Sequence, residues 1–444
     1  MSGEGLIAEP RAVHPNAGHL RLKELMHRGT AFLGCDIAIL GGAMSWVSER
    51  NLVSAISNAG GFGVIACGAM TPDLLDTEIA ETKARTDKPF GVNLITMHPM
   101  LSDLIDTCAK HKVGHVVLAG GLPPGGAIDR IKTGGARLIC FAPALSLAKK
   151  LMRSGADALV IEGMEAGGHI GPVSTSVLAQ EILPHIAHDI PVFVAGGIGR
   201  GEAIAAYLEM GAVGVQLGTR FVCATESIAH ANFKKAFIRA SARDAIPSVQ
   251  IDPRLPVIPV RALKNREMEN FAAKQREVAQ ALDDGAIAMA EAQLQIEHYW
   301  AGALRRAVID GDVDSGSVMA GQSVGMVKNE EPVAAIIQEL ADEAAAALEN
   351  RGCVPVLAST KPLQRSGKAG VSRRDTIIVS CDLDPTDRLP VTRSRLYRSG
   401  IARRHRGQPR VGQAIARPHR IVRMRGGLAA GRGRPPNGRL GPGA

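Results

Sequence analysis

Residues 191–219, PVFVAGGIGRGEAIAAYLEMGAVGVQLGT, contain the repeating unit that decides the fold. The stretch begins with an apolar, β-branched run, passes through glycines into an amphipathic segment of helical period, and ends in a second apolar run. Strands that are buried on both faces, as in parallel sheets, read as continuous apolar runs. The stretch therefore predicts a strand, a helix and a second, parallel strand.

The same unit recurs through the first half of the chain. Eight apolar runs alternate with amphipathic stretches, at 35–40, 62–67, 90–95, 115–120, 137–142, 158–163, 191–197 and 214–219. Eight such units in about 200 residues predict a TIM (β/α)8 barrel. A doubly wound open sheet is the alternative, because the number of strands does not by itself establish closure.

The alternation of strands and helices stops after Arg239, and this change sets the predicted domains. Residues 1–32 are expected to be an N-terminal lead-in and 33–240 the barrel. Residues 241–351 are expected to form a smaller, mostly helical domain that closes over the barrel mouth. Its first part, 241–265, contains four prolines and predicts an irregular excursion.

The last part of the chain, residues 352–444, has a different composition. It carries 20 Lys and Arg against four Asp, whereas the preceding residues carry more acidic than basic side chains. Rich in Arg, Gly and Pro, and with little apolar periodicity, it predicts a disordered tail. Nucleic-acid binding is the alternative, but the tail has one Tyr and no Phe or Trp on which bases could stack, so we expect no such partner.

Cysteine usage and hydropathy predict the compartment. The seven cysteines are scattered and include no C-x-x-C pair, which is typical of a reduced, cytoplasmic protein without a zinc site or disulfide framework. No uncharged apolar run is long enough to span a bilayer, so we expect no membrane partner. We also expect no metal site.

Two glycine-containing loops follow the seventh and eighth predicted strands, in AGGIGRGEA (195–203) and QLGTRF (216–221). In a barrel the last two strands commonly hold a phosphate at their carboxyl ends, where backbone N–H groups and helix dipoles attract anions. The alternative is that the glycines only make tight turns. The candidate phosphate ligands are the backbone groups of Gly196, Gly197, Gly218 and Thr219.

Other polar residues are expected at the same mouth. His169 lies in EGMEAGGHIG (162–171), directly after the sixth strand, where an imidazole can move a proton near neutral pH. Asn93 ends the third strand as an amide within an apolar run, either as a core amide or as a ligand contact. Met319 and Gln322 would reach the mouth only if the chain folds back over it.

The absent motifs exclude several classes of enzyme. The chain has no G-x-G-x-x-G at the dinucleotide-binding spacing, no H-E-x-x-H, no G-x-S-x-G and no P-loop. A Rossmann dehydrogenase, a zinc protease, a serine hydrolase and a P-loop kinase are therefore disfavoured. A flavin-free phosphate-binding barrel, such as an isomerase or a lyase, remains open.

Seven ordered stretches together resemble the flavin-dependent nitronate monooxygenase (2-nitropropane dioxygenase) family and its relative, enoyl-acyl-carrier-protein reductase II. The resemblance runs from about Leu33 to Asn350, and its last two stretches are closer to the reductase. The stretches are GAMSWVSERNLVSAISNAGGFGVI (42–65), KPFGVN (88–93), EGMEAGGHIG, AGGI, VQLGTRF, VRALKN (260–265) and GDVDSGSVMAGQ (311–322).

The resemblance implies a barrel with one FMN and an active-site histidine, which matches His169. The residues that match flavin contacts come from several loops around the mouth. They are Met44, Asn93, Glu162, Gly167, Gly168, Gly196, Gly197, Gln216, Gly218, Thr219, Met319 and Gln322.

Two activities follow from the resemblance. One is NAD(P)H-dependent reduction of an enoyl thioester, with a small-molecule or acyl-carrier-protein-bound substrate; the other is oxidation of alkyl nitronates with O2. For the first, Arg254, Arg261, Lys264 and Arg266 are a candidate basic surface for an acidic carrier, or an ordinary solvated charge run. A homodimer is a possible assembly.

Overall fold

The computed structural model describes residues 16–255 and 258–352. Along these residues eleven strands form. They are β1 (Ile39–Gly41), β2 (Gly63–Ala66), β3 (Phe90–Ile95), β4 (His115–Ala119), β5 (Arg137–Phe141), β6 (Ala158–Glu162), β7 (Gly168–His169), β8 (Val192–Ala195), β9 (Gly214–Leu217), β10 (Ala245–Pro247) and β11 (Val260–Leu263).

Thirteen helices accompany the strands within the same residues. They are α1 (Ala17–Leu33), α2 (Arg50–Asn58), α3 (Pro72–Arg85), α4 (Leu101–Lys110), α5 (Ala127–Thr133), α6 (Leu145–Arg153), α7 (Thr175–Ile186), α8 (Gly201–Glu209), α9 (Thr219–Val222), α10 (Ala231–Arg239), α11 (Arg266–Asp283), α12 (Met289–Val308) and α13 (Val333–Gly352).

The predicted barrel is confirmed. Eight strands pair in parallel in the order β1-β9-β8-β6-β5-β4-β3-β2, and a bridge between Leu40 and Phe62 joins the two ends of this sheet. Each predicted apolar run overlaps one of these strands, and β2, β8 and β9 are buried along their whole length. Burial on both faces explains why the runs are continuously apolar.

Helix α1 covers the amino ends of the barrel strands. His115, the first residue of β4, hydrogen-bonds through Nε2 to the Phe32 carbonyl oxygen at 2.9 Å. Its ring meets Phe32 and Phe62 edge-on, with centroids 5.4 and 5.0 Å away. A β-carbon on Gly29 would lie only 2.2 Å from the Val213 carbonyl oxygen, so α1 packs backbone-close against this end.

Helix α13 lies on the barrel and packs against α1 and α8. Glycines make both contacts close: a β-carbon on Gly18 would lie 2.1 Å from Ala345 O, and one on Gly201 would lie 2.3 Å from Leu340 O. We expected residues 17–32 in a lead-in and α13 in the smaller domain, whereas both helices pack on the barrel. The domain boundaries themselves remain a prediction.

The segment expected to be an irregular excursion contains two strands. Strand β11 pairs antiparallel with β10 on one side and with β7 on the other, forming a three-stranded sheet beside the barrel mouth. No strand pattern is visible in this part of the sequence, because the four prolines interrupt the alternation of apolar and polar residues. Short strands of this kind are specified by partners that are distant in the chain.

A second apolar core forms where α11 packs on α12. It is built around Phe271 and Trp300, whose ring centroids lie 4.2 Å apart, together with Ile296 and Val278. Val260 of β11 belongs to this cluster, and Met319 packs against it. The helical pair therefore packs against the small sheet through Val260.

Two further predictions concern the tail of the chain and its relation to membranes. The predicted disordered tail, 352–444, lies outside the described residues except for Gly352, the last residue of α13. Among the described residues, no helix combines the length and apolarity needed to cross a membrane.

Candidate active site

The loops after β8 and β9 have the glycines that the sequence predicts for an anion site. Gly196 and Gly197 have φ angles of 94° and 75°, a left-handed backbone that favours glycine. A β-carbon on Gly197 would lie 2.8 Å from Cβ of Glu165. Within the described residues, no hydrogen bond uses the backbone N–H of Gly196, Gly197 or Gly218. These donors are available to a ligand.

Helix dipoles contribute less here than the sequence suggests. The Gly201 N–H at the start of α8 donates to the Glu343 carboxylate of α13 at 2.7 Å. Helix α9, which follows β9, has only four residues. An anion at this mouth would therefore be held mainly by the loop N–H groups and less by helix termini.

Three polar side chains lie in the carboxyl-terminal halves of barrel strands with few protein partners; Asn93 does not end β3, which continues to Ile95. Asn93 on β3 is buried and makes one long contact, 3.4 Å from Nδ2 to the Val117 carbonyl oxygen. Gln216 on β9 is buried too, and Glu162 ends β6. No hydrogen bond from the described residues reaches the Gln216 amide or the Glu162 carboxyl. Buried polar groups are normally satisfied, so this set points to a ligand.

Glu162 is the titratable group most strongly perturbed at the mouth. Burial raises the pKa of its carboxyl to about 8. Desolvation disfavours the charged form, and no neighbouring cation offsets it. At neutral pH the carboxyl therefore carries its proton and can donate a hydrogen bond as well as accept one.

Glu165 joins the loop after β6 to three neighbouring segments. Its Oε2 accepts from the N–H and the hydroxyl of Thr175, at 2.8 and 2.9 Å, at the start of α7. The same hydroxyl lies 3.0 Å from the Gly196 carbonyl oxygen. The backbone oxygen of Glu165 accepts from the Gln322 N–H at 2.9 Å. Sequence reasoning missed this residue, because nothing local marks a loop carboxylate as one that joins other segments.

The chain does fold back over the mouth, as Met319 and Gln322 would require. The Gly321 N–H donates to the Thr219 hydroxyl at 3.0 Å. A β-carbon on Gly167 would lie 2.6 Å from the Gly321 nitrogen, and one on Gly168 would lie 3.7 Å from the Met319 sulfur. The loops after β6 and β9 and the 319–322 segment therefore meet at one place.

Met44 reaches the same mouth from the loop after β1. Its sulfur would lie 3.4 Å from a β-carbon placed on Gly218. The loop is fixed by Ser48, whose hydroxyl accepts from the Met44 N–H at 3.0 Å and donates to the Gly42 carbonyl oxygen at 2.7 Å. Met44 thus lies beside one of the two glycine loops.

His169 is on β7, and its side chain is exposed at the mouth. Its backbone pairs with Val260 of β11, so the histidine has a fixed position although it follows a glycine pair. An exposed imidazole on a fixed strand can reach a substrate that enters from solvent. The sequence placed His169 in a loop, whereas the structure places it on a strand.

The predicted basic surface for a carrier protein does not form. Arg261 is buried, with 2% of its surface exposed, and its guanidinium donates to backbone carbonyl groups. Arg254 is exposed but is already paired with Asp252 and Asp283. Lys264 and Arg266 are exposed, so a surface of four free basic side chains is wrong because Arg261 is buried and Arg254 is paired.

A cavity of about 480 Å³ lies to one side of this mouth, between the loops after β1 and β2 and the helices that follow them. Ser45, Trp46, Arg50 and Ile228 are among its lining residues, and His169 and the glycine loops are not. Because neither the unpartnered donors nor the proton-transfer candidate faces it, we place the candidate active site at the glycine loops.

These groups fit the FMN that the resemblance implies. Loop N–H groups match a phosphate, and the amides of Asn93 and Gln216 with the protonated Glu162 match the polar edge of a flavin ring. Met44, Gly167, Gly168, Met319 and Gln322 belong to the loops around them. Among the described residues, no three His, Cys, Asp or Glu side chains come together as a metal site.

Comparison with known proteins gives consistent findings. A family model described as nitronate monooxygenase matches residues 27–343. A Mycobacterium tuberculosis protein named (3aS,4S,5R,7aS)-5-hydroxy-7a-methyl-1-oxo-octahydro-1H-indene-4-carboxyl-CoA dehydrogenase is 35% identical over 250 residues, which are 56% of this chain and 68% of that protein. A Paraburkholderia phytofirmans nitronate monooxygenase is 31% identical over 50% of this chain and 73% of its own length.

A solved structure gives the same result. The structure of FabK from Thermotoga maritima is 37% identical in sequence and superposes with a TM-score of 0.65. The match covers 74% of this chain and 99% of that chain. Sequence and architecture therefore agree over about three quarters of the chain.

Proposed function

We propose a function for this chain, which belongs to the nitronate monooxygenase family of oxidoreductases. The proposed function is that of an FMN-dependent oxidoreductase that acts on an acyl thioester. The simplest form of that reaction is NAD(P)H-dependent reduction of an enoyl thioester. FMN as the cofactor, the thioester as the substrate class and NAD(P)H as the co-substrate are all parts of the proposal.

One observation carries the proposal. Asn93, Glu162 and Gln216 present polar groups without adequate protein partners in the carboxyl-terminal halves of three strands, next to glycine loops whose N–H groups have none. Such a combination is costly unless a ligand with a phosphate and a polar ring edge completes it. FMN has both.

When bound, FMN supplies hydride transfer, and the residues of the chain supply binding, orientation and proton movement. The glycine loops hold the phosphate, and Asn93, Glu162 and Gln216 orient the ring edge. His169 moves a proton to or from the carbon next to the thioester carbonyl. Met319, on the segment that folds over the mouth, packs where it would exclude water from the reacting groups.

One relative favours a thioester substrate. The M. tuberculosis protein is named for a CoA thioester and is 35% identical. The nitronate monooxygenase of P. phytofirmans is 31% identical. A nitronate monooxygenase is the second candidate, because the exposed His169 can equally serve as the base on a small nitroalkane.

The test is anaerobic flavin chemistry on the purified protein. We expect NADH or NADPH to bleach the flavin absorbance and crotonyl-CoA to restore it. His169→Ala should slow the second step about 10²- to 10⁴-fold, the usual contribution of a general acid or base, while retaining the flavin. His185→Ala, on the exposed end of α7, is the matched control and should behave as the wild type.

Two outcomes would overturn the proposal. Failure of both nicotinamides to bleach the flavin, with turnover of a nitronate in O2, would establish the second candidate instead. A purified protein that neither contains nor takes up flavin would exclude both and favour a flavin-free barrel enzyme.

A further inference from the structure

We propose that Arg261 is a positioning residue that holds His169 and Met319 in one register across the mouth. The expected effect of Arg261 on kcat rests on the proposed function. Its expected effect on hydrogen exchange can be measured without any activity. Arg261 does not act on the substrate directly; its side chain acts through the backbone segments that carry His169 and Met319.

Strand β11 contacts both segments directly. Its first half pairs with β7, placing Val260 opposite His169 and Arg261 opposite Gly168. Its second half forms an antiparallel bridge between Ala262 and Met319. Any shift of β11 along its length would therefore move His169 and Met319 together.

Backbone hydrogen bonds extend this arrangement at both ends of β11. The Ile170 N–H donates to the Pro259 carbonyl oxygen at 2.9 Å, and the Leu263 N–H donates to the Val318 carbonyl oxygen at 2.9 Å. The segments that carry His169 and Met319 are separated by about 150 residues in sequence. In the structure they lie one after the other along the same strand, β11.

The Arg261 guanidinium fixes β11 to the loop that precedes His169. Its Nε donates to the Met164 carbonyl oxygen at 2.9 Å, and its Nη1 donates to the Ala245 carbonyl oxygen of β10 at 2.5 Å. Burial lowers the pKa of this guanidinium, and Glu165 opposes that effect by its charge. One side chain therefore joins the loop after β6, β10 and β11.

A buried guanidinium is expensive to desolvate, so its retention indicates a task that an apolar side chain cannot perform. The planar fork reaches two carbonyl groups in different directions, whereas a lysine ammonium at the end of a flexible chain can satisfy only one of these positions well. Loss of the side chain would leave the buried Ala245 and the part-buried Met164 carbonyl groups without this donor and β11 free to shift.

Hydrogen exchange measures the structural consequence. In Arg261→Met, amides in peptides covering 164–170 and 318–322 should both exchange at least about tenfold faster than in the wild type, with an intermediate effect in Arg261→Lys. Arg243→Met is the matched control, because Arg243 lies just before β10 and its side chain is 91% exposed. It should exchange like the wild type.

If Arg261→Met does not fold, Arg261→Lys carries the same measurement. Exchange at wild-type rates in both peptides, or acceleration in only one of them, would overturn the proposal, because a shared register requires the two segments to respond together.

A double-mutant cycle measures the kinetic consequence. Arg261→Lys should lower kcat about 10- to 100-fold with little change in KM and in bound flavin, as expected for a small misplacement of a catalytic group. In the His169→Ala background the same substitution should have almost no further effect on kcat. Full additivity would show that Arg261 does not act through His169.

The two measurements separate the proposals. Coupled exchange without thioester activity would retain the positioning role and reject the proposed function. Thioester activity with unchanged exchange and additive kinetics would retain the function and reject the positioning role.

Discussion

The two ends of the barrel are built from the same strands but in opposite ways. At the amino ends, α1 closes the barrel; His115 Nε2 finds a carbonyl partner and its ring has two aromatic neighbours, while its Nδ1 is buried without a partner among the described residues. At the carboxyl ends, glycine loops leave N–H groups unused, and Asn93 and Gln216 are buried with few partners. Close packing characterises the amino ends, whereas several unused polar groups gather at the carboxyl ends, where barrels of this kind bind their ligands.

The largest difference between the two ends is expected when the same side chain, valine, replaces one glycine at each end. Gly29→Val at the closed end should cost more than about 3 kcal/mol of unfolding free energy, since its β-carbon would lie 2.2 Å from a backbone oxygen. Chemical denaturation measures this. Gly302→Val on α12 is the control; only the Arg306 side chain lies within 4 Å there, and stability should change little.

Gly218→Val at the mouth should have the reverse effect. Only the flexible Met44 side chain lies within 4 Å of the added β-carbon, so the apoprotein should keep its stability within about 1 kcal/mol. The added methyl groups would instead occupy space beside the loop N–H groups, so FMN affinity should fall at least about tenfold. Fluorescence titration with FMN measures it; unchanged affinity would show that the β9 loop does not hold the ligand.

His115→Leu should lower stability by about 1–3 kcal/mol at neutral pH, because the hydrogen bond to Phe32 is lost while the volume is nearly kept. Burial lowers the pKa of His115 below its usual 6.5, so the unfolded chain takes up a proton on acidification that the folded chain does not. The native contribution is therefore lost as pH falls below about 6.5, and the gap between wild type and variant should narrow. A constant gap from pH 8 to 5 would contradict this.

Glu162→Gln should produce the opposite pH dependence at the mouth. The folded apoprotein keeps a proton on Glu162 up to about pH 8, whereas the unfolded chain releases it near pH 4.5. The wild-type apoprotein should therefore lose stability relative to the variant as pH rises from 4.5 through 8. Parallel stability curves for the two proteins over that range would show that Glu162 is not desolvated.

Most of the barrel could be predicted because each strand is a continuous apolar run, a local signal. Helix α1 also carried its signal: Leu22, Met26, Gly29 and Leu33 are buried at helical spacing, although we assigned this segment to a lead-in. Strands β7, β10 and β11 could not be predicted, because they are short and their pairing joins distant parts of the chain.

The residues of the candidate site also divide into those that could be predicted from local sequence and those that could not. Gly196, Gly197 and Gly218 could be predicted because their positions follow from the strand ends. Glu165 and Arg261 could not, since a charged side chain normally faces water, whereas Arg261 is buried against the distant Met164 carbonyl group and Glu165 is half-buried against Thr175. Arg261 was even predicted as part of an exposed surface.

The flavin content of purified variants tests the division between the two ends most directly. After purification with added FMN and removal of excess, the wild type and His115→Leu should each retain about one FMN per chain, measured by visible absorbance against protein concentration. Gly218→Val should be folded and almost colourless. A folded wild type without flavin, or full flavin retention in Gly218→Val, would contradict the assignment of the barrel mouth as an FMN site.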